Sequence, residues 1–460
     1  MRKPILFLLL APGLFILGLG GWLFTEHARG KQAWLAWKAQ RIAQGDRFDW
    51  KELAPPEIPD SENFAKAPLI AGAVIGKDVA PRFKALEPPK LDKEWGDWKA
   101  GRRIDLEACA AAYKTKDLLK ALAPLGAILK ELDEASRRPH SRLPVNYAEY
   151  ETPSLLGFRS ALRTLRMRAL ANLAKGNTDA ALADVMTCLR IADHLKAEPD
   201  LITSLLRNAA LGIVMQPIWE GLLDRRWNEQ QLRVLQRELQ RMDVLASTRL
   251  GFEGVRLHTV TTFTLTAEGQ PLPKGLQDHE NPPRPKRYPW LVRGWWYRNL
   301  LEIDRFNAAA FLDIVHPPSH RVLPEQMVDP GKWVERRKLR LDLVIARIAA
   351  PSILGQIERA ARLQSGIDQA AIACALERYR LAGGAYPASL TELCPNFMAQ
   401  IPHDIVNGQS LRYARQGEGF RLYSVGWDLK DEGGRVARSS DPKPILETAK
   451  GDWPWPSAPN

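Results

Sequence analysis

The stretch from Ala375 to Gly434 reads ALERYRLAGGAYPASLTELCPNFMAQIPHDIVNGQSLRYARQGEGFRLYSVGWDLKDEGG. The pattern predicts a helix that stops at Gly383-Gly384, because glycine accepts the left-handed backbone that ends helices. A Tyr-Pro pair and a short second helix follow, with Pro387 placed just inside its start. Asn407-Gly408 predicts a tight turn before LRYARQ, and Gly417-Glu418-Gly419 a turn into FRLYSVG. Two strands therefore close on a Gly/Asp-rich turn. Tyr379, Tyr386, Leu390, Leu393 and Phe397 are expected to bury the helix against the sheet.

Upstream, Leu341–Leu381 reads as a long helix leading into this head. Residues 153–267 form a helical region. Leu155–Lys175 is amphipathic, Gly176 suits the position just past its end, and Asn177 or Thr178 caps the next helix. This is a helix-turn-helix unit. A third helix begins at Pro199, and Asn228 caps a fourth. Residues 99–138 are expected to be helical, with Pro124 as the break. Glu26–Asp49 continues as a helix carrying Trp34, Leu35 and Trp37, which are expected at a headgroup level. Glu52–Lys93 reads as a Pro-rich linker. The chain is thus expected to be mainly α. Its regions are a transmembrane anchor (1–25), a juxtamembrane helix and linker (26–98), a helical body (99–330) and a small α+β head (331–460).

The 460 residues, 45% hydrophobic and 26% charged, suit a globular protein of two or three domains rather than a disordered one. The formal charge of +12 favours an acidic surface or polymer as neighbour. Arg2 and Lys3 precede Ile5–Phe24, a run without charge. That run matches a helix crossing a hydrocarbon core of roughly 30 Å, and the basic flank puts the body on the far side of the membrane. The alternative is a cleaved leader cut near Gly18-Leu19-Gly20. Export removes nucleic acid from the expected partners. Cys109, Cys188, Cys374 and Cys394 have no metal spacing. They read as buried thiols, with a Cys374–Cys394 disulfide as the alternative.

The order of elements over 375–434, with Tyr423-Ser424-Val425-Gly426-Trp427-Asp428-Leu429-Lys430-Asp431-Glu432-Gly433-Gly434 at its end, resembles the globular head of the major pseudopilins of type II secretion. The middle and the head together resemble membrane-anchored bacterial proteins with a helical region before this head. The resemblance covers about the last quarter of the chain. It implies a bacterial cell-membrane location with the body periplasmic, an envelope or secretion partner, and calcium in the loop. Asp428 matches the loop's first carboxylate, and Asp452-Trp453 its later pair. Leu429 stands where the family has glycine, and no prepilin cleavage motif is present. Calcium takes hard oxygens from carboxylates and carbonyls. Asp428, Asp431 and Asp452 are the expected ligands, with Glu432 and Asp441 nearby. The plain alternative is a solvated acidic hairpin turn.

A second candidate is basic and aromatic. Arg287, Trp290, Arg293, Trp295 and Trp296 lie close together, with Arg284, Lys286, Tyr288, Tyr297 and Arg298 around them. They predict a second contact with the membrane surface, since tryptophan and arginine suit the interface. The alternative is an aromatic core cluster with a basic rim. His316 and His320 have the i,i+4 spacing of a metal pair, but Pro317-Pro318 between them disfavours a helix. No nucleophile elbow, zinc-protease, P-loop or dinucleotide motif occurs. The expectation is an anchored extracytoplasmic binding or scaffold protein. The alternatives are an envelope enzyme, hydrolase-like, with a site between body and head, and a spacer without a ligand.

Overall fold

The structure is a computed structural model. It describes residues 28–74, 81–89, 97–151, 155–277, 293–336, 355–438 and 446–456, and the single positions 21 and 25. The expected spanning run Ile5–Phe24 lies outside these residues except for Gly21.

The protein is mainly helical, as its sequence implied. Helix α1 covers 28–43. Short helices follow: α2 (Trp50–Leu53), α3 (Pro68–Val74), α4 (Pro81–Lys84), α5 (Leu106–Ala112) and α6 (Leu118–Leu122). Helix α7 spans Gly126–Ser136. Pro124 sits in a 3-10 turn between α6 and α7, a break as expected, and the stretch before it is itself divided into α5 and α6. The body proper is α8 (Leu156–Ala174), α9 (Thr178–His194), α10 (Leu201–Leu223), α11 (Glu229–Gln240) and α12 (Val244–Glu268).

The helix punctuation follows local chemistry. Gly176, at φ +78°, ends α8. Asn228 and Gln231 form a reciprocal capping box on α11. Gly269, at φ +68°, closes α12. Helix α8 packs on α9 through the three-residue turn, and α10 packs across both. Among the described residues α10 is long and apolar enough to cross a membrane. Val214, Met215, Ile218 and Trp219 are at most 1% exposed in it, and it reads as a core helix.

Helix α13 (Arg293–Asn307) packs on α12 and continues as one π turn, Ala308–Leu312. The hairpin β1 (Val315–His316) and β2 (Arg321–Val322) precedes α14 (Pro330–Glu335). Helix α15 (Gln356–Gly383) is the axis of the molecule. Its side chains from Ala360 to Arg378 are buried without a break. A helix buried on every side is a core helix, and this one encloses polar side chains as well, Arg362, Gln364, Asp368 and Gln369 among them. It packs against α10, α11 and α12 of the body and also against the C-terminal strands. Gly366 makes room for Trp98, whose ring would lie 2.3 Å from a Cβ there. Body and head consequently share cores. One cluster runs from Phe64 through Leu235 and Ile367 to Leu422. A second joins Trp34, Phe252 and Phe306 to Val425 and Trp453.

The C-terminal part follows the expected order. Gly384, at φ +79°, ends α15. The short second helix is a 3-10 turn, Leu390–Leu393, capped by Ser389 and Glu392. Pro387 lies before that cap rather than inside the helix, and its carbonyl accepts from Tyr413 Oη at 2.8 Å. Strand β3 (Arg412–Gln416) pairs with β4 (Gly419–Ser424) across the two-residue Gly417-Glu418 loop. Strand β7 (Trp453–Pro454) adds to the other edge of β4. The β5 (Val436–Arg438) and β6 (Leu446–Gly451) pair is separate.

Two expectations change. Trp34 is buried, 3% exposed, in the second core, and Trp37 donates to Asp304 at 2.7 Å. Both face protein because α1 lies on α13, and only Leu35 of the three is exposed, at 50%. All four cysteines are free, so no Cys374–Cys394 disulfide forms.

Candidate functional site

The acidic loop between β4 and β5, with Asp452 just after β6, is the first site named by the sequence. Its carboxylates are mostly spent on the backbone. Asp428 accepts from Lys430 N and from Gly451 N, both at 3.2 Å. Asp431 accepts from Tyr423 Oη at 3.0 Å, Gly433 N at 3.0 Å and Arg412 Nε at 2.9 Å. Leu429 stands at φ +61°, the left-handed region that glycine would occupy without strain. Asp452 is fully buried, and its Oδ2 gathers Glu432 N, Gly434 N and Arg435 N. Its Oδ1 is buried with no donor, as is Glu432 Oε2. Burial pushes the Asp452 carboxyl up to about 6, against the pull of the Gly434 N–H and with a further push from Glu432. Asp452 is therefore the hub of the loop, with one oxygen left over. Among the described residues no group of three or more His, Cys, Asp or Glu side chains is placed to hold a metal ion. Asp441 lies outside them.

In the basic-aromatic segment, Arg287 and Trp290 lie outside the described residues. Arg293, Trp295 and Trp296 open α13 and are half-buried. The Trp296 ring meets Phe263 edge-on at 5.6 Å, and Trp295 meets Trp296 at 5.1 Å. Tyr297, 2% exposed, donates to Glu268 at 3.0 Å. The described half of the segment thus packs α13 onto α12, with the Trp295 side partly open.

His316 and His320 flank a 3-10 turn between β1 and β2 rather than sharing a helix face. His316 Nε2 bonds Asp313 O at 2.8 Å, whereas His320 Nε2 bonds Asp368 Oδ2 at 2.9 Å. Burial alone would lower the His320 pKa. Asp368 outweighs it, and the imidazole is held above its usual value.

Between body and sheet lies a cavity of about 230 Å³ that no motif announced. Its walls are Trp219 and Leu222 of α10, Tyr386, Phe420 of β4, and Trp455. The Tyr386 and Phe420 rings meet edge-to-face at 5.1 Å. Trp219 Nε1 donates to Pro456 O at 2.9 Å, and Arg225 Nη2 to Glu418 O at 2.7 Å on the rim. Glu377 is the buried carboxylate here. It accepts from Tyr386 Oη and, at 2.9 Å, from Arg380 Nε. Burial and that carboxylate keep the phenol protonated. The cavity offers aromatic faces and a satisfied acid, a surface that binds flat or apolar groups. Of its aromatic walls the sequence singled out only Tyr386, and that as a residue burying the helix against the sheet.

Comparison with protein-family models, curated proteins and solved structures finds no match for this chain.

Proposed function

We propose that this chain is a membrane-anchored, extracytoplasmic binding or scaffold protein whose partner engages the cavity between the helical body and the C-terminal sheet. The observation that carries the reading is the cavity itself. Four aromatic side chains converge there, and its one buried carboxylate is already paired twice. Such walls contribute contact area, and the buried carboxylate among them is already committed to Tyr386 and Arg380, which favours binding over the envelope-enzyme alternative. The anchor supports the location, since Ile5–Phe24 has the length of a span and a basic flank. Calcium is the ligand proposed for the acidic loop, with Asp428, Asp431 and Asp452 as its expected carboxylates. Asp452 Oδ1, buried without a donor, is the oxygen left to meet it.

The test is a photo-crosslinking residue at Leu223, introduced into the full chain in bacterial cells. A discrete adduct with one envelope protein, lost in Phe420→Asp at equal abundance, supports the reading. No adduct from a folded, membrane-associated chain sinks it. Calcium is tested separately by melting the detergent-purified chain. A rise in Tm with millimolar calcium that Asp452→Asn removes supports the metal, and an unchanged Tm removes it.

A further inference from the structure

A second cavity, of about 290 Å³, opens where α2, the segment 143–151, the start of α10 and the middle of α12 meet. The chain carries a formal charge of +12, yet among the described residues no lysine or arginine lines this cavity. Its walls are Trp50, Tyr147 and Tyr150, and its acids are Glu198, Asp200 and, at the rim, Glu151. Arg142, whose charge reaches Glu198, is paired with Glu57 at 3.0 Å and does not line the cavity. His258 also lines it, exposed, with its ring 5.5 Å from Tyr150.

The three rings stand at angles to one another. Trp50 stacks on Tyr147 with centroids 6.0 Å apart and planes at 28°, and meets Tyr150 at 5.1 Å and 82°. Rings so arranged can turn their electron-rich faces to one guest. Glu198, 2% exposed, is anchored by Leu143 N at 2.8 Å and by Tyr147 Oη. Asp200 spends Oδ2 on Thr203 N and Oγ1, at 2.7 and 2.9 Å. That bond caps the N–H end of α10 and removes the donor an anion would seek.

The backbone is shaped for the same end. A Cβ at Gly254 would lie 1.9 Å from Pro199 O, and one at Gly275 would lie 2.1 Å from Tyr150 O. The glycines let the Glu198–Asp200 and Tyr150 segments close on the cavity. Tyr150 is itself held at φ +57°, a costly conformation for a large side chain.

We propose that this cavity binds a small organic cation with an ammonium group, held by the faces of Trp50, Tyr147 and Tyr150 and by the charges of Glu198 and Asp200. An anion would be repelled by Glu198 and Asp200, against which stand only the Trp50 indole N–H and the His258 imidazole among the described lining groups that could favour it. A neutral apolar guest would desolvate them without compensation. A poorly hydrated ammonium gains from both the rings and the acids.

The experiment is calorimetry on the full chain in maltoside detergent, with choline chloride as the probe and 3,3-dimethylbutanol as its uncharged isostere. Saturable binding of choline and none of the alcohol is expected. Trp50→Ala and Glu198→Gln should each weaken the choline Kd by about tenfold, with melting curves as the folding check. If Trp50→Ala does not fold, the near-isosteric Glu198→Gln carries the test. No choline heat in the tens of millimolar, or equal binding of the alcohol, overturns the proposal. Competition by a short-chain phosphatidylcholine would assign the ammonium to a lipid headgroup. Choline binding without such competition would assign it to a free solute.

Discussion

Two buried aspartates, Asp46 beside α1 and Asp452 before β7, are driven in opposite directions. Burial raises the pKa of each, because a carboxylate loses water when it is enclosed. At Asp46 this is outweighed by Arg256, with Nη1 at 2.6 Å, and by Arg41, with Nε at 2.5 Å, and the carboxyl is held below its usual range. Arg256 is wholly buried and bonds Asp304 Oδ1 at 2.8 Å as well. At Asp452 only backbone N–H groups answer the charge, and the carboxyl rises to about 6. The first is an ion network that ties α1 to α12 and α13. The second is a loop hub with unused capacity. Asp46, between two guanidinium groups, thus reads as structure, and Asp452, without one, as a place for a proton or a cation.

The largest effect is expected from breaking the ion network. Arg256→Ala leaves Asp46 and Asp304 enclosed without their shared partner, and should cost about 3–5 kcal/mol in chemical denaturation. A loss below about 1 kcal/mol would mean that the network is not what holds α1 to the body.

The second prediction uses the opposite signs. Asp452 has a raised folded pKa, so its contribution is present below the unfolded value and is lost as pH rises through about 6. Between pH ~6 and ~4 the protein should gain up to about 3 kcal/mol from this group as acid is added, and Asp452→Asn should flatten that limb. Asp46 has a lowered folded pKa, so its contribution holds above the unfolded value and is lost as pH falls through the folded one. Further acid should then destabilise the protein. Melting against pH that falls steadily from neutral, with no rise near the Asp452 pKa, would sink the contrast.

A smaller effect is expected at His320, where the raised pKa favours the charged ring below its unfolded value and the gain fades as pH rises through the folded one. Asp368→Asn should cost about 1–2 kcal/mol at pH ~5.5 and less at pH ~8.5. Equal losses at both would show that Asp368 acts through packing and Gln364 alone, which bonds it at 2.9 Å. Smallest is the α11 cap. Asn228→Ala should cost about 1 kcal/mol, readable as a drop in Tm without change in either pH limb.

How legible each part was depends on the range of the physics. Gly176, Asn228, Gly384 and the Gly417-Glu418 loop act on their own neighbours, and their readings match the structure. The acidic loop was legible as a loop, and its hub was not. Asp452 looked like one of three equivalent ligands, yet it alone receives three backbone N–H groups from across the turn. Trp34 and Trp37 carried a composition that suits a membrane surface, but their partners, Asp304 among them, come from helices far along the chain.

The sequence by itself determined the helical class, the helix ends at Gly176, Asn228 and Gly384, the hairpin and the order of elements over 375–434, because capping, turn geometry and periodicity depend on residues within a few positions. Only the tertiary structure decided that α15 runs through the body as its axis, that Asp46 meets Arg256 across 210 residues, and that Trp50, Tyr150 and Glu198 share a cavity. These are convergences in space. They follow from which faces of distant helices bury one another, and no spacing along the chain encodes that.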